Sequence, residues 1–140
     1  MRNYQPYLEN GIIYQINLRS FTNAGTLKGA EKMLPHLKNI GIDIVYLCPC
    51  FVADSDMNGW SERQQKSKTF NPKNPYRISD YYNVDAEYGM NDDLKAFIKR
   101  AHELELRVIL DLVYFHCGPN AVFLKEHPDF IRYNADGSRD

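Results

Sequence analysis

The sequence predicts an α/β fold of the barrel type: the first three parallel strands and two helices of a (β/α)8 TIM barrel, with a long loop after the second strand. Three observations carry this. Apolar runs of strand length alternate with segments of helical periodicity, and the order β-α-β-α-β implies a parallel sheet with right-handed crossovers. The apolar runs are nearly continuous, as in strands buried on both faces. The turn after the first run, "RSFTNAGT", lacks the G-x-G-x-x-G of a dinucleotide-binding sheet, so the barrel unit is preferred over the doubly wound sheet.

Each element has its own signal. The first strand is read in "GIIYQINLRSF", residues 11–21, from its β-branched and aromatic content. The first helix follows in "TLKGAEKMLPHLKNIG". Leu27, Ala30, Leu34, Leu37 and Ile40 recur at helical spacing, Thr26 can cap the start and Gly41 can end it. Pro35 inside that segment predicts a kink or a loosened turn. The second strand is "IDIVYLCPCF", stopped by Pro49. The second helix is "NDDLKAFIKRAHELEL", with Leu94, Phe97, Ile98, Ala101 and Leu104 as its apolar stripe and Asn91 as its N-cap. The third strand starts at Arg107.

Composition narrows the function classes. The chain has 140 residues, 44% of them hydrophobic and 25% charged, with a net charge of −1, which is ordinary for one globular domain. No basic run favours nucleic acid, and no apolar stretch approaches the roughly 18 residues of a membrane span. The start "MRNYQPYLEN" has no apolar signal core. Three cysteines, an odd number without disulfide spacing, fit a reducing compartment, so a cytoplasmic location is expected.

The connection from Pro49 to Met90 far exceeds the usual loop of about 2–6 residues. It is either a surface insertion or a substrate-facing lid. Its position after a strand favours the lid, because sites of parallel α/β folds form at the C-terminal strand ends. "RVILDLVYFHCGP", residues 107–119, poses the sharper question. Asp111 lies inside an apolar run, where an acid is costly unless it is paired. His116 stands at the mouth of that strand, where ligands bind.

Together, "IIYQINLRSF", "GIDIVYLCPCF" and "NPYRISDYYNVDAEYGMNDDLKAFIKRAHELELRVILDLVYFH" closely resemble the N-terminal third of the α-amylase family of glycoside hydrolases and transglycosylases, over residues 11–135. The resemblance implies a (β/α)8 barrel with a small domain inserted after the third strand. Residues 1–140 would be its N-terminal part, reaching the start of that insertion near "HPDFIRYNADGSRD". The resemblance also implies roles. His116 would donate a hydrogen bond to the sugar whose glycosidic bond is cut, and Asp111 would help organise the floor beneath it. Tyr76 would stack on the same sugar, while Asp80 and Tyr81 would be mainly structural supports. Arg77 departs from the family's usual Asp or Trp and offers a different contact to substrate. Phe115 replaces an Asn that often ligates calcium, and a phenyl ring cannot ligate a hard cation, so no cofactor is expected.

The implied partner is an α-glucan or oligosaccharide, cleaved by the retaining route. That chemistry takes two carboxylates, which the family supplies from later strands. None of Asp80, Asp85, Glu87 and Asp111 matches those motifs, so this chain is expected to hold no catalytic residue and to be inactive alone, as a fragment. The alternative is a non-catalytic sugar-binding or structural piece. Open sheet edges predict self-association. A minor reading groups Cys48, Cys50, His116 and Cys117 as a tetrahedral zinc set.

Overall fold

The computed structural model describes residues 9–57, 60–68 and 70–138. It divides into two compact units where the chain length predicts one domain: residues 1–50 with Asn83–Leu112, and Phe51–Tyr82 with Val113–Asp140. The long loop after the second strand and the segment after the third build the second unit.

The first unit holds a three-stranded parallel sheet in the order β1 (Ile13–Ile16), β2 (Ile44–Leu47), β5 (Arg107–Leu110). Its register places Gln15 beside Tyr46 and Tyr46 beside Ile109. Helices α2 (Leu27–Asn39) and α4 (Asn91–Glu103) pack against one another, and α4 packs on β5. The core joins Leu27, Ala30, Leu34 and Leu37 of α2 to Leu94, Phe97 and Ala101 of α4, with Ile16, Val45 and Leu47 from the strands. Each Leu, Ile, Val or Phe of this set, when fully buried, contributes about 1.5–3 kcal/mol, so the two apolar stripes read in the sequence hold this unit together.

Several boundaries differ from the sequence expectations, each for a local reason. The first strand stops at Ile16, because the Asn17 side chain accepts from Arg19 N and opens a short helix, α1 (Leu18–Phe21). Helix α2 runs through Pro35 and carries the expected Thr26 cap, whose hydroxyl accepts from Gly29 N at 3.2 Å. Asn91 is not the N-cap of α4. Met90 occupies that position and donates its N–H to Asp93 Oδ2, while Asn91 Oδ1 accepts from Val84 N. Asp111 lies just past β5 rather than inside a strand. Its N–H donates to Leu47 O at 2.9 Å, after which the chain leaves the sheet.

A two-stranded sheet, β3 (Phe51–Ala53) with β4 (Ile78–Val84), lies inside what the sequence presents as a loop; its residues up to Tyr82 belong to the second unit. The bonds Asp85 N to Cys50 O and Asp54 N to Arg77 O, one at each end, run the pair antiparallel. A short helix, α3 (Glu62–Gln65), follows Ser61, which closes a capping box with Gln64. Two single-turn 3₁₀ segments, Val122–Lys125 and Pro128–Phe130, follow β5. No helix among the described residues is long and apolar enough to cross a membrane.

Candidate sugar-binding site

The candidate residues of the second unit sit on two loops. Tyr76 is carried by a tight turn over Asn74–Arg77. Arg77 N donates to Asn74 O at 2.8 Å, Tyr76 N donates to Asn74 Oδ1 at 3.0 Å, and Pro75 occupies the second position that its fixed φ favours. The turn leaves Tyr76 40% exposed, which suits a stacking role. Arg77 folds back on its own loop. Its Nη1 donates to Asp56 O at 3.1 Å, and its Nη2 lies 3.8 Å from Asp56 Oδ1.

The segment after β5 presents an exposed His116 between Phe115 and a half-buried Cys117. Phe115 is 98% exposed, with its ring edge-on to the imidazole at 6.3 Å. Tyr81 reaches this segment from β4. Its hydroxyl donates to Val113 O at 2.6 Å, with His116 O a second acceptor at 3.2 Å. Its ring stacks on Tyr114 at 6.3 Å and leans on Phe123 at 6.0 Å. Burial pushes its phenol pKa up, and Cys117 and Tyr114 add to this, so the group stays a protonated donor. Asp80, one residue earlier, accepts from Tyr82 N at 2.8 Å.

A third anchor escapes a reading of the sequence. Asp54 is 4% exposed. Its Oδ2 accepts from Asn120 N at 2.9 Å, and its Oδ1 accepts from Asp56 N at 2.8 Å and Asn120 Nδ2 at 3.2 Å. Burial alone would raise this carboxyl's pKa. The Asn120 and Asp56 N–H groups, the Asn120 amide and the Arg77 charge outweigh it, so the group is held below the ordinary value and ionised. Gly118 N donates to Ile78 O at 2.7 Å beside it. The only local signal is the Asx turn from Asp54 to Asp56, because Asn120, which supplies two further hydrogen bonds to the carboxylate, lies 66 residues away.

Asp111 belongs to the first unit. The Tyr46 phenol donates to its carboxylate, and that bond, followed by burial, holds the phenol above its usual pKa. Tyr46 sits beside Ile109 in the register, and its phenol reaches Asp111, two residues on. The remaining carboxylates near the strand ends of this unit are engaged. Glu87 is bound bidentately by Arg19, whose Nη2 lies 2.8 Å from Oε2 and whose guanidinium lies over the Tyr88 ring. Asp85 is buried and accepts from Glu87 N at 3.0 Å.

Among the described residues, no three His, Cys, Asp or Glu side chains are arranged to hold a metal. Because β2 ends at Leu47, Cys48 and Cys50 do not follow strand alternation. Cys48 Sγ accepts from Gln15 Nε2 at 3.2 Å, while Cys50 turns into the core at 1% exposure. Burial pushes the Cys50 thiol up to about 11, which keeps it protonated, whereas a metal binds the thiolate.

Residues 13–137 match the family model for the alpha amylase catalytic domain. The chain is 32% identical over 133 residues to an alpha-glucosidase of Pediococcus pentosaceus, covering 91% of this chain and 20% of that protein. It is 30% identical over 123 residues to an oligo-1,6-glucosidase of Bacillus sp. (strain F5), covering 84% and 21%. Among solved structures, an alpha-amylase from Lactobacillus plantarum superposes with a TM-score of 0.79 at 36% identity, over 96% of this chain and 29% of that one. A maltogenic alpha-amylase from Thermotoga neapolitana superposes with a TM-score of 0.76 at 33% identity, over 94% and 29%. The chain thus spans about a fifth of the length of these curated relatives.

Proposed function

The chain belongs to the α-amylase family of glycoside hydrolases and transglycosylases, and from that premise we propose that it forms the sugar-holding part of a catalytic barrel acting on α-glucosidic linkages. The observation that carries this reading is the presentation of His116. The imidazole is exposed, while the segment behind it is tied by Tyr81 to β4. A donor held on a fixed backbone can meet a sugar hydroxyl without first losing loop entropy. Tyr76, raised on the Asn74–Arg77 turn, offers the apolar ring face that a pyranose covers. The Arg77 guanidinium, one residue on and bonded to Asp56 O, offers a further polar contact to substrate.

The chemistry would be double displacement with retention. A carboxylate attacks the anomeric carbon while a carboxylic acid protonates the leaving oxygen, the two groups standing about 5–5.5 Å apart. Asp85 is buried and Glu87 is neutralised by Arg19, so neither is offered for that task. Asp111, in the first unit, is bonded by the Tyr46 phenol and is not offered either. The nucleophile and acid would therefore come from barrel strands other than these three. Alone, the 140 residues would bind an α-glucan or oligosaccharide and leave it intact.

Isothermal titration with maltotriose tests the reading. Binding by the wild-type chain is expected. His116→Ala and Tyr76→Ala should each lower affinity by roughly 3- to 30-fold, the worth of one hydrogen bond or one stacked ring. Affinity that is unchanged in both variants would remove these residues from the site.

A further inference from the structure

We propose that Asp54 is a positioning residue for His116: its buried carboxylate, bonded to both nitrogens of Asn120 and packed against Gly118, holds the loop that presents the imidazole. Three observations converge on that loop. Asp54 Oδ2 and Oδ1 take Asn120 N and Asn120 Nδ2 at 2.9 and 3.2 Å, which fixes the loop four residues after His116. Gly118 lies so close that a Cβ on it would sit 2.5 Å from Asp54 Cβ, and its N–H donates to Ile78 O at 2.7 Å. On the other side, Tyr81 holds Val113 O and His116 O. The imidazole therefore rides on a span of six residues, Val113–Gly118, that is pinned at both ends. Asp54 is the only charged group in these anchors.

The carboxylate is well matched to the task. It presents only acceptors, and among the described residues it takes three N–H donors: Asp56 N, Asn120 N and Asn120 Nδ2. An amide in its place has one acceptor oxygen and would set an NH2 against one of those N–H groups. The sugar-binding reading enters only in what the imidazole does once placed; the placement itself does not depend on it.

The test uses the full chain without sugar. The imidazole carbon–proton signal of His116, identified by its loss in His116→Ala, is compared between wild type, Asp54→Asn and Asn120→Ala. The His36 and His102 signals report whether the first unit is intact. We expect the His116 signal to move or broaden in both variants while the other two stay. If Asp54→Asn does not fold, Asn120→Ala, which deletes only the amide side chain, carries the same expectation. A His116 signal unchanged in every folded variant overturns the proposal. Maltotriose titration adds a second arm. Asp54→Asn should weaken binding about 3- to 10-fold in the wild-type background and by nothing further in His116→Ala. A loss that is additive with His116→Ala overturns the proposal. If the wild-type chain binds no maltotriose, the sugar reading fails, and the imidazole signal alone decides the role of Asp54.

Discussion

Gly118 has no room for a methyl group beside Asp54. Gly118→Ala should therefore force the carboxylate or the loop aside, lowering stability by about 1–3 kcal/mol in urea unfolding, as overpacking does. Asp54 also sets a pH dependence. Its pKa is depressed in the folded chain, so its contribution is fully present above the ordinary carboxylate value of about 3.9. That contribution is lost as pH falls through the lower, folded value. Acid unfolding of Asp54→Asn should lose part of the wild type's steepness below about pH 4; superimposable acid limbs would deny Asp54 this linkage. The acid conspicuous in the sequence was a different one. Asp111 stands out because it interrupts an apolar run, which a linear reading detects. Asp54 stands in a polar loop where acids are common, and only its partner Asn120, 66 residues away, reveals what it holds.

At the scale of elements, two helices were legible because their apolar residues repeat every three or four positions over 13 residues. Their ends were less so. After α2 the chain turns at Gly41 with φ 88°, which a glycine announces. After α4 the corresponding left-handed position is Glu105, φ 57°, and the apolar Leu104 and Leu106 around it invite a longer helix than the one that forms. A left-handed Glu costs roughly 1 kcal/mol, so Glu105→Gly should raise the unfolding midpoint. A lowered midpoint would show that the side chain's own contacts outweigh the strain. Strand β4 was missed for another reason. In "ISDYYNV" only Ile78 and Val84 are buried, too few to stand out from a polar loop.

At the scale of the whole molecule, the barrel type was legible from strand and helix order and the missing glycine turn, and the parallel order β1-β2-β5 bears it out as a partial sheet. The division into two units was not, because it follows from pairings between segments far apart in sequence. Strands β1 and β5 each pair on one side only among the described residues, and Ile12 and Ile13 are 55% and 53% exposed at the β1 edge. We propose that these edges drive self-association. Sedimentation velocity across a concentration series should show a rising average mass, and a single monomer species at every concentration would count against it.

We propose that this chain holds sugar without cutting it. The most direct measurement is proton NMR of maltotriose incubated with the purified chain. The account predicts sugar lines broadened by binding, less broadened with His116→Ala, and no growth of free glucose anomeric signals. Glucose that accumulates with the wild-type chain and disappears with His116→Ala would contradict it, since the cleaving carboxylates would then have to lie within these 140 residues.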